Sequence, residues 1–477
     1  MGKTITIQEN GVHLNIEITG TGEVRLLHFS SLDLDEDKIG DEKGREMFHI
    51  VELKVSGEEQ YGLSSKHIGP KLAKILNYAE HKDYRNKLGR KLEIWMETAG
   101  LFVVSHFQFF DSVSIIRAWT ELKNMSREAK GVESVSSFFL NGIAKEGFQQ
   151  WSEKSRLHIP HNGMCGEAQW KSYGLPEIGL SKVHAHSSKR LAFSGTGTCS
   201  TSEYLPMGCF ENVECGTCLF WQIENNGPWY WEISDIRDHL YLYLSGPTEN
   251  ESHWWKKLNP GESFTSVPAA VGVANGSFEQ AIRELTRYRR IIRRANRDNE
   301  KLPVIFNDFM YCLFSDVTAE KTFPLVDTAA GLGCEYYVID AGWYSEGWWW
   351  DGVGEWIPSE KRFPRGIKEV TDYIRAKGMI PGLWIEIEVM GVNCPLAEKV
   401  PATWFFQKHG RKIIQQGRYQ LDFRNPEVVR HADEVIDRIV RGYGVGYIKI
   451  DYNIGRKYFS ARRVRLDFEP RSLSRRG

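Results

Sequence analysis

The stretch Tyr447-Ile448-Lys449-Ile450-Asp451-Tyr452-Asn453 sets a cation, a carboxylate and an amide at alternate positions. Side chains alternate along a β-strand, so Lys449, Asp451 and Asn453 fall on one face and Ile448, Ile450 and Tyr452 on the other. A lysine next to a carboxylate favours its ionised form, which suits Asp451 to be a nucleophile or an electrostatic stabiliser rather than a proton donor. The bland alternative is a surface ion pair, worth little in water. The apolar opposite face and the position at a strand end speak against it.

Other polar residues recur at comparable places. After Pro303 the chain reads strand, helix, strand: Val304-Ile-Phe306, a helix from about Ala319 to Ala330, Tyr336-Tyr-Val-Ile339, a helix from about Ile367 to Lys377, Met379-Ile-Pro-Gly-Leu-Trp384, a helix from about Pro426 to Arg441, then Tyr447 to Ile450. Four such units in series predict a parallel sheet with right-handed crossovers, the first half of a (β/α)8 TIM barrel over residues 303–455. Barrel chemistry sits on the loops after the strands, and there lie Asn307-Asp308, Asp340, Trp384 with Glu386 and Glu388, and Asp451 with Asn453. Helix capping by strand-end Asp and Asn is the competing explanation.

Residues 1–275 read differently, as short alternating runs separated by Gly, Asn, Asp and Ser, and predict an all-β domain of the large sandwich type, a supersandwich. Met1-Gly2-Lys3-Thr4-Ile5-Thr6-Ile7 alternates like a first strand; it also fits the loose Met-Gly-x-x-x-Thr acylation pattern. Asn225-Asn226-Gly227-Pro228 predicts a hairpin between two apolar runs, and one helical interruption is expected around Lys71 to Tyr78. From Ser277 the period becomes helical, with Phe278, Ala281, Ile282, Leu285, Tyr288 and Ile292 on one face and arginines on the other, giving a linker helix over 276–302.

The 477 residues leave room for roughly two to four domains. The 61 Lys plus Arg against 62 Asp plus Glu favour neither nucleic acid nor an anionic membrane as partner. No apolar leader or membrane-length run is present, so a cytoplasmic location is expected. Cys215-Gly-Thr-Cys218 is the only Cys-x-x-Cys and has no second pair at zinc-site spacing, which makes it a loop joining two strands.

Carboxylates, indoles and a cation around one mouth suit either a glycosidase or a divalent-metal enzyme. A metal would have to compete with Lys449 for the carboxylate, whereas sugar hydrolysis needs two carboxyls of which one is ionised. The strand-end motifs Tyr447-Ile-Lys-Ile-Asp-Tyr-Asn453, Val338-Ile-Asp-Ala-Gly-Trp-Tyr344 and Pro381-Gly-Leu-Trp-Ile-Glu-Ile-Glu388 resemble those of glycoside hydrolase family 36, the α-galactosidases. Ser200-Thr-Ser-Glu-Tyr-Leu-Pro206, Trp221-Gln-Ile-Glu-Asn-Asn-Gly227, Leu258-Asn-Pro-Gly-Glu-Ser-Phe264 and Leu285-Thr-Arg-Tyr-Arg-Arg290 are similar to stretches of that family's β-domain, in the same order. The resemblance implies a retaining hydrolase of terminal α-linked galactose in oligosaccharides, without metal or organic cofactor, in a family that in full length forms homo-oligomers. By position it makes Asp451 the nucleophile, Lys449 and Asn453 its strand partners, Asp340 the carboxylate that binds galactose hydroxyls, Trp384 an aromatic wall and Arg418 an arginine of the pocket.

Two departures qualify this. Many members carry two adjacent aspartates where this chain has Asp340-Ala341, which leaves α-N-acetylgalactosaminidase activity open. From Arg456 to Gly477 the chain is strongly basic and leaves the family pattern, which would continue into further barrel strands, an acid/base aspartate and a C-terminal β-domain. The expectation is a truncated chain ending in an aberrant tail (456–477), of the kind a frameshift or mis-joined gene end produces, lacking the acid/base carboxyl, inactive and prone to aggregate. A non-catalytic sugar-binding protein and a metal-dependent barrel enzyme are the competing classes.

Overall fold

The computed structural model describes residues 2–59, 65–69, 75–98, 100–184 and 187–454. The chain divides into two compact units, one running to Arg293 and the other from Arg294 to Ile454. The basic segment 456–477 lies outside the described residues.

In the first unit, antiparallel pairing builds a ten-stranded sheet that runs from Gln169–Gly174 at one edge to Asn77–Asn86 at the other, and a six-stranded sheet centred on Trp229–Ile236 and His239–Ser245. Alternation decides the faces. On Gly89–Thr98, Leu92, Ile94 and Met96 point into the core while Lys91 and Trp95 point out. Side chains of both sheets share that core; Trp221 of one and Trp231 of the other meet edge to face with centroids 5.0 Å apart. Lys3–Glu9, the expected first strand, opens a separate three-stranded sheet.

Two local expectations fail. The runs on either side of Asn225–Pro228 are strands, but Thr217–Ile223 belongs to the ten-stranded sheet and Trp229–Ile236 to the six-stranded one, so the turn carries the chain between layers and makes no hairpin. Both runs are buried on both faces and carry no alternation that would pair them. The helix expected around Lys71 to Tyr78 lies partly outside the described residues, and its described end enters the strand Asn77–Asn86, whose pairing with Gly89–Thr98 overrides local helical spacing.

The amphipathic segment is helix α1 (Phe278–Ile292). Ala281, Leu285 and Tyr288 are buried against Ile115, Met207 and Phe220 of the ten-stranded sheet, and the Tyr288 hydroxyl donates to Glu224 at 2.7 Å. The division after Arg293 falls just beyond it, inside the 276–302 segment.

The second unit is built on four parallel strands, β1 (Ile305–Asn307), β2 (Tyr336–Ile339), β3 (Ile380–Ile385) and β4 (Tyr447–Ile450), adjacent in chain order. Helices α2 (Ala319–Gly331), α3 (Ile367–Ala376) and α4 (Pro426–Asp437) supply the crossovers. Val326 and Ala329 of α2, Val370 and Ile374 of α3 and Val435 of α4 share one cluster with Tyr337, Ile339, Leu383 and Ile385 of the strands. Ile305 on β1 and Ile450 on β4, the outer strands, are exposed. Between β3 and α4 the chain inserts a small antiparallel sheet in which Val389–Gly391 pairs Arg418–Gln420. Its strands are two or three residues long, too short for any period to show in sequence.

Candidate active site

Parallel register sets the site's geometry. Ile339 lies opposite Leu383, and Trp384 opposite Lys449, so Asp340, Trp384 and Lys449 reach one level at the carboxyl ends of β2, β3 and β4. α2 and α4, the helices after β1 and β3, are capped by Thr318 and Asn425, and α3, after β2, has Gly366 at its N-cap position, so Asn307 and Asp340 are the N-caps of none of them.

Asp340 is the hub. Its Oδ2 accepts from Lys449 Nζ at 2.7 Å and from Asn307 Nδ2 at 2.6 Å, while Oδ1 accepts the Ala341 amide at 2.7 Å. Asp308 fixes it from behind: its Oδ1 accepts the Asp340 backbone amide at 2.8 Å. Burial pushes the Asp308 carboxyl up to about 7, opposed by that amide. The turn that follows needs Gly342, whose φ is 110° and where a Cβ would stand 2.4 Å from the Ser315 carbonyl oxygen.

Lys449 therefore does not pair with Asp451, as the alternation had suggested. β4 ends at Ile450, the strand pattern stops there, and the lysine reaches across the sheet to Asp340. Asp451 is half-buried and is oriented by N–H donors instead. The Trp384 indole donates to its Oδ2 at 3.1 Å, the Tyr452 amide to its Oδ1 at 2.9 Å, and its own amide binds the Ile385 carbonyl at 3.0 Å. The carboxylate keeps a solvent-facing side.

Trp384 and Arg418 both lie deeper than a sugar-lining role requires. Trp384 is 1% exposed and touches the site through its N–H, its ring being packed among Tyr344, Trp349 and Trp356. Arg418 is 0% exposed; its Nη1 donates to Glu386 Oε2 at 2.5 Å, and its guanidinium lies 5.5 Å from the ring centres of both Trp349 and Trp350. The other Glu386 oxygen accepts the Asn453 amide at 3.0 Å, so Asn453 joins through its backbone while its residue surface stays exposed. Burial raises the Glu386 pKa against the pull of Arg418. Glu386 is the residue that sequence reasoning placed at a strand end without a role. Its partner sits 32 positions away on the inserted sheet, which no spacing rule reveals.

The arrangement offers one half-buried, oriented carboxylate and two cation–carboxylate pairs, Lys449–Asp340 with its lysine half-buried and Arg418–Glu386 fully buried. Among the described residues, no three His, Cys, Asp or Glu side chains are grouped as metal ligands. No helix of the described residues is long and apolar enough to cross a membrane.

A family model described as Melibiase matches residues 265–472. The α-galactosidase AgaA of Geobacillus stearothermophilus is 32% identical over 206 residues, 41% of this chain and 27% of that protein. Alpha-galactosidase 1 of Pediococcus pentosaceus is 27% identical over 227 residues, 46% of this chain and 30% of that protein. The sequence matches thus span less than a third of those relatives. Among solved structures, the family 36 α-galactosidase AgaB of G. stearothermophilus superposes with a TM-score of 0.81 at 16% identity, over 97% of this chain and 66% of its own. A variant of AgaA in complex with raffinose superposes at 0.79 and 16% identity, over 97% of this chain and 67% of its own. The structural likeness carries the fold, and the family model and the curated relatives make less than half of the chain similar in sequence to α-galactosidases such as those of glycoside hydrolase family 36.

Proposed function

We propose that the chain carries the galactose-cleaving half of a retaining α-galactosidase site, with Asp451 as the nucleophile that attacks the anomeric carbon of a terminal α-linked galactose. The observation that carries the reading is the Trp384 indole N–H on Asp451 Oδ2, at 3.1 Å, on a carboxylate that remains open to solvent. Asp340, held by Lys449 and Asn307, is the acceptor for sugar hydroxyls, and Lys449 is half-buried at the mouth, where it can also donate. Trp384 and Arg418 act from beneath: one orients the nucleophile, the other anchors Glu386. The sequence similarity and the raffinose complex of the AgaA variant support an oligosaccharide α-galactoside as substrate.

A retaining mechanism needs a second carboxyl roughly 5 Å from the first to protonate the leaving oxygen and then activate water. Of the described strand-end carboxyls, Asp340 is paired with Lys449 and Glu386 with Arg418 and the Asn453 amide, while Glu388 is half-buried, with its pKa raised by burial and its Oε2 without a hydrogen-bond partner. Turnover by this chain is expected to be slow. With nitrophenyl α-galactoside, whose leaving group departs without an acid, the purified chain is expected to release at most about one equivalent of nitrophenol and then stop. Asp451→Asn abolishes that release. Sustained turnover by the unmodified chain contradicts the missing-carboxyl part of the reading, and release that survives Asp451→Asn contradicts the nucleophile.

Ala341, buried beside Asp340, favours a second substrate reading: without a second aspartate the pocket lacks one hydroxyl acceptor, which fits N-acetylgalactosamine. Nitrophenyl α-N-acetylgalactosaminide in the same release assay separates the two.

A further inference from the structure

Helix α1 packs on one part of the outer face of the ten-stranded sheet, over Ile115 and Phe220. Another part of that face is formed by the side chains that alternation turns outward on three neighbouring strands, Gly89–Thr98, Leu101–Phe109 and Ile115–Asn124. Register gathers them. Trp95 lies opposite Val104 and Val104 opposite Glu121, while in the next row Phe102 lies opposite Lys123 and Lys123 opposite Ser263. Trp95 and Phe102 meet edge to face with centroids 5.3 Å apart. Trp95, Phe102, Val104, Glu121, Lys123 and Ser263 together line a cavity of about 300 Å³.

The chemistry of this lining selects its occupant. Its floor is aromatic and aliphatic, whereas its polar groups are one carboxylate, one ammonium and one hydroxyl. The opposite charges of Glu121 and Lys123 stand on the same strand two residues apart, so a ligand of either net charge is repelled by one as it is attracted by the other. Charged residues are depleted at the centre of protein–protein interfaces, and here they stand beside the indole, which argues against another protein surface. A neutral ligand with an apolar face and hydroxyls around its edge meets every group, and a pyranose ring is such a ligand. A pocket of this volume is at the small end of the range for small molecules, which fits one or two sugar rings. The Trp95 ring is covered in the free protein by the exposed Lys82 ammonium, 4.3 Å from its centre, a weak cover that can swing into water. The Trp95 indole N–H is buried and has no partner among the described residues, an unpaired donor of the kind that a bound ligand or water answers.

We propose that this trough is a second carbohydrate site that binds a neutral pyranoside chain, stacking a ring on Trp95 and Phe102 and bonding its hydroxyls through Glu121, Lys123 and Ser263. All of these residues belong to the first unit, so the site stands or falls independently of the α-galactoside reading of Asp451. Holding a long glycan there raises the local concentration of its chain ends around the protein.

The test is native electrophoresis of the full chain through gels containing galactomannan, glucomannan or soluble starch, all neutral polysaccharides, with retardation against a polysaccharide-free gel giving an apparent Kd. The unmodified chain is expected to be retarded in at least one. In that gel Trp95→Ala is expected to raise the apparent Kd about tenfold, Glu121→Gln, which keeps the side-chain size, about threefold, and Asp340→Asn, in the other unit, less than about twofold. Trp95→Phe, which retains a ring, should stay within about threefold of the unmodified chain and so tie the loss in Trp95→Ala to stacking. No retardation in any of the gels overturns the proposal, as does retardation that Asp340→Asn removes while Trp95→Ala and Glu121→Gln leave it intact. A concentration-dependent dimer in gel filtration that Trp95→Ala dissolves also overturns it, because the face then belongs to a second copy.

Discussion

The two units bury their polar groups by different rules. In the antiparallel sandwich, period-2 alternation spreads charged side chains along the strands, and a residue that ends up inside is closed off by its neighbours. Glu232, fully buried, accepts the His67 amide at 2.9 Å and the hydroxyls of Tyr230 and Tyr241, and Arg190 lies alongside. In the parallel sheet the strands are apolar on both faces, and polar residues collect where the strands stop. There the closure is incomplete. Asp340 and Glu386 are buried and held on both oxygens; Asp451 also accepts on both oxygens, yet it is only half-buried. A buried charge whose every lone pair is answered by protein is structure; a carboxylate fixed in orientation with one side open is positioned to react.

That contrast can be broken or sharpened by substitution. The largest effect is expected for Arg418→Ala, which leaves Glu386 buried without its counter-charge and should cost about 3–5 kcal/mol in denaturant unfolding. Replacing the pair together, by Arg418→Met with Glu386→Leu, should recover most of that stability. The double variant still loses the Asn453 amide anchor, so it should bind galactoside more weakly at near-normal stability.

Acidification separates the units by sign. Burial, with Lys145 adding to it for His28 and Arg190 for His67, lowers these histidines to about 4 and about 3, from 6.5. Unfolded, they take up protons as the pH falls through 6.5, whereas folded they do not until about 4 and 3, so the stability present above 6.5 drains away on acidification. Between pH 7 and 5 the sandwich should lose about 2–3 kcal/mol, read as a falling urea midpoint. Asp308 runs the other way. Its folded pKa of about 7 lies above its unfolded 3.8, so its contribution is whole below 3.8 and declines as the pH rises toward 7. Asp308→Asn, which keeps an acceptor for the Asp340 amide, should therefore stabilise the protein by about 1–2 kcal/mol at pH 8 and leave it unchanged at pH 4. The smallest effect is expected at the surface, where an exposed Arg85 bridges Glu9 and Asp111 at 2.5 Å each. Arg85→Ala should leave the urea midpoint unmoved.

The same contrast explains what could be read from the chain. Strands β2 and β4 coincide with Tyr336–Ile339 and Tyr447–Ile450 because each is a short run rich in β-branched and aromatic residues, interrupted in β4 only by Lys449, and too short for a helix. Asp340 and Asp451 stand out because parallel sheets place chemistry at such ends. Partnerships are a different matter. Lys449 looked tied to Asp451 by spacing of two, yet it crosses to Asp340, 109 residues earlier, since register between strands is a tertiary property. Arg418 was identified by motif, but its burial between two indoles and against Glu386 is invisible in sequence, because the inserted sheet that carries it has strands too short to show a pattern. In the sandwich, the turn at Asn225–Pro228 had hairpin chemistry and still joined different layers.

The central claim is that Asp451 is a nucleophile. The most direct measurement is incubation of the chain with an activated fluoro-galactoside, followed by mass spectrometry of the intact protein and of its peptides. An activated leaving group needs no acid, so the account predicts a single added fluoro-galactosyl group, mapped to Asp451 and absent from Asp451→Asn. No adduct, or an adduct on another carboxylate such as Asp340 or Glu386, contradicts it.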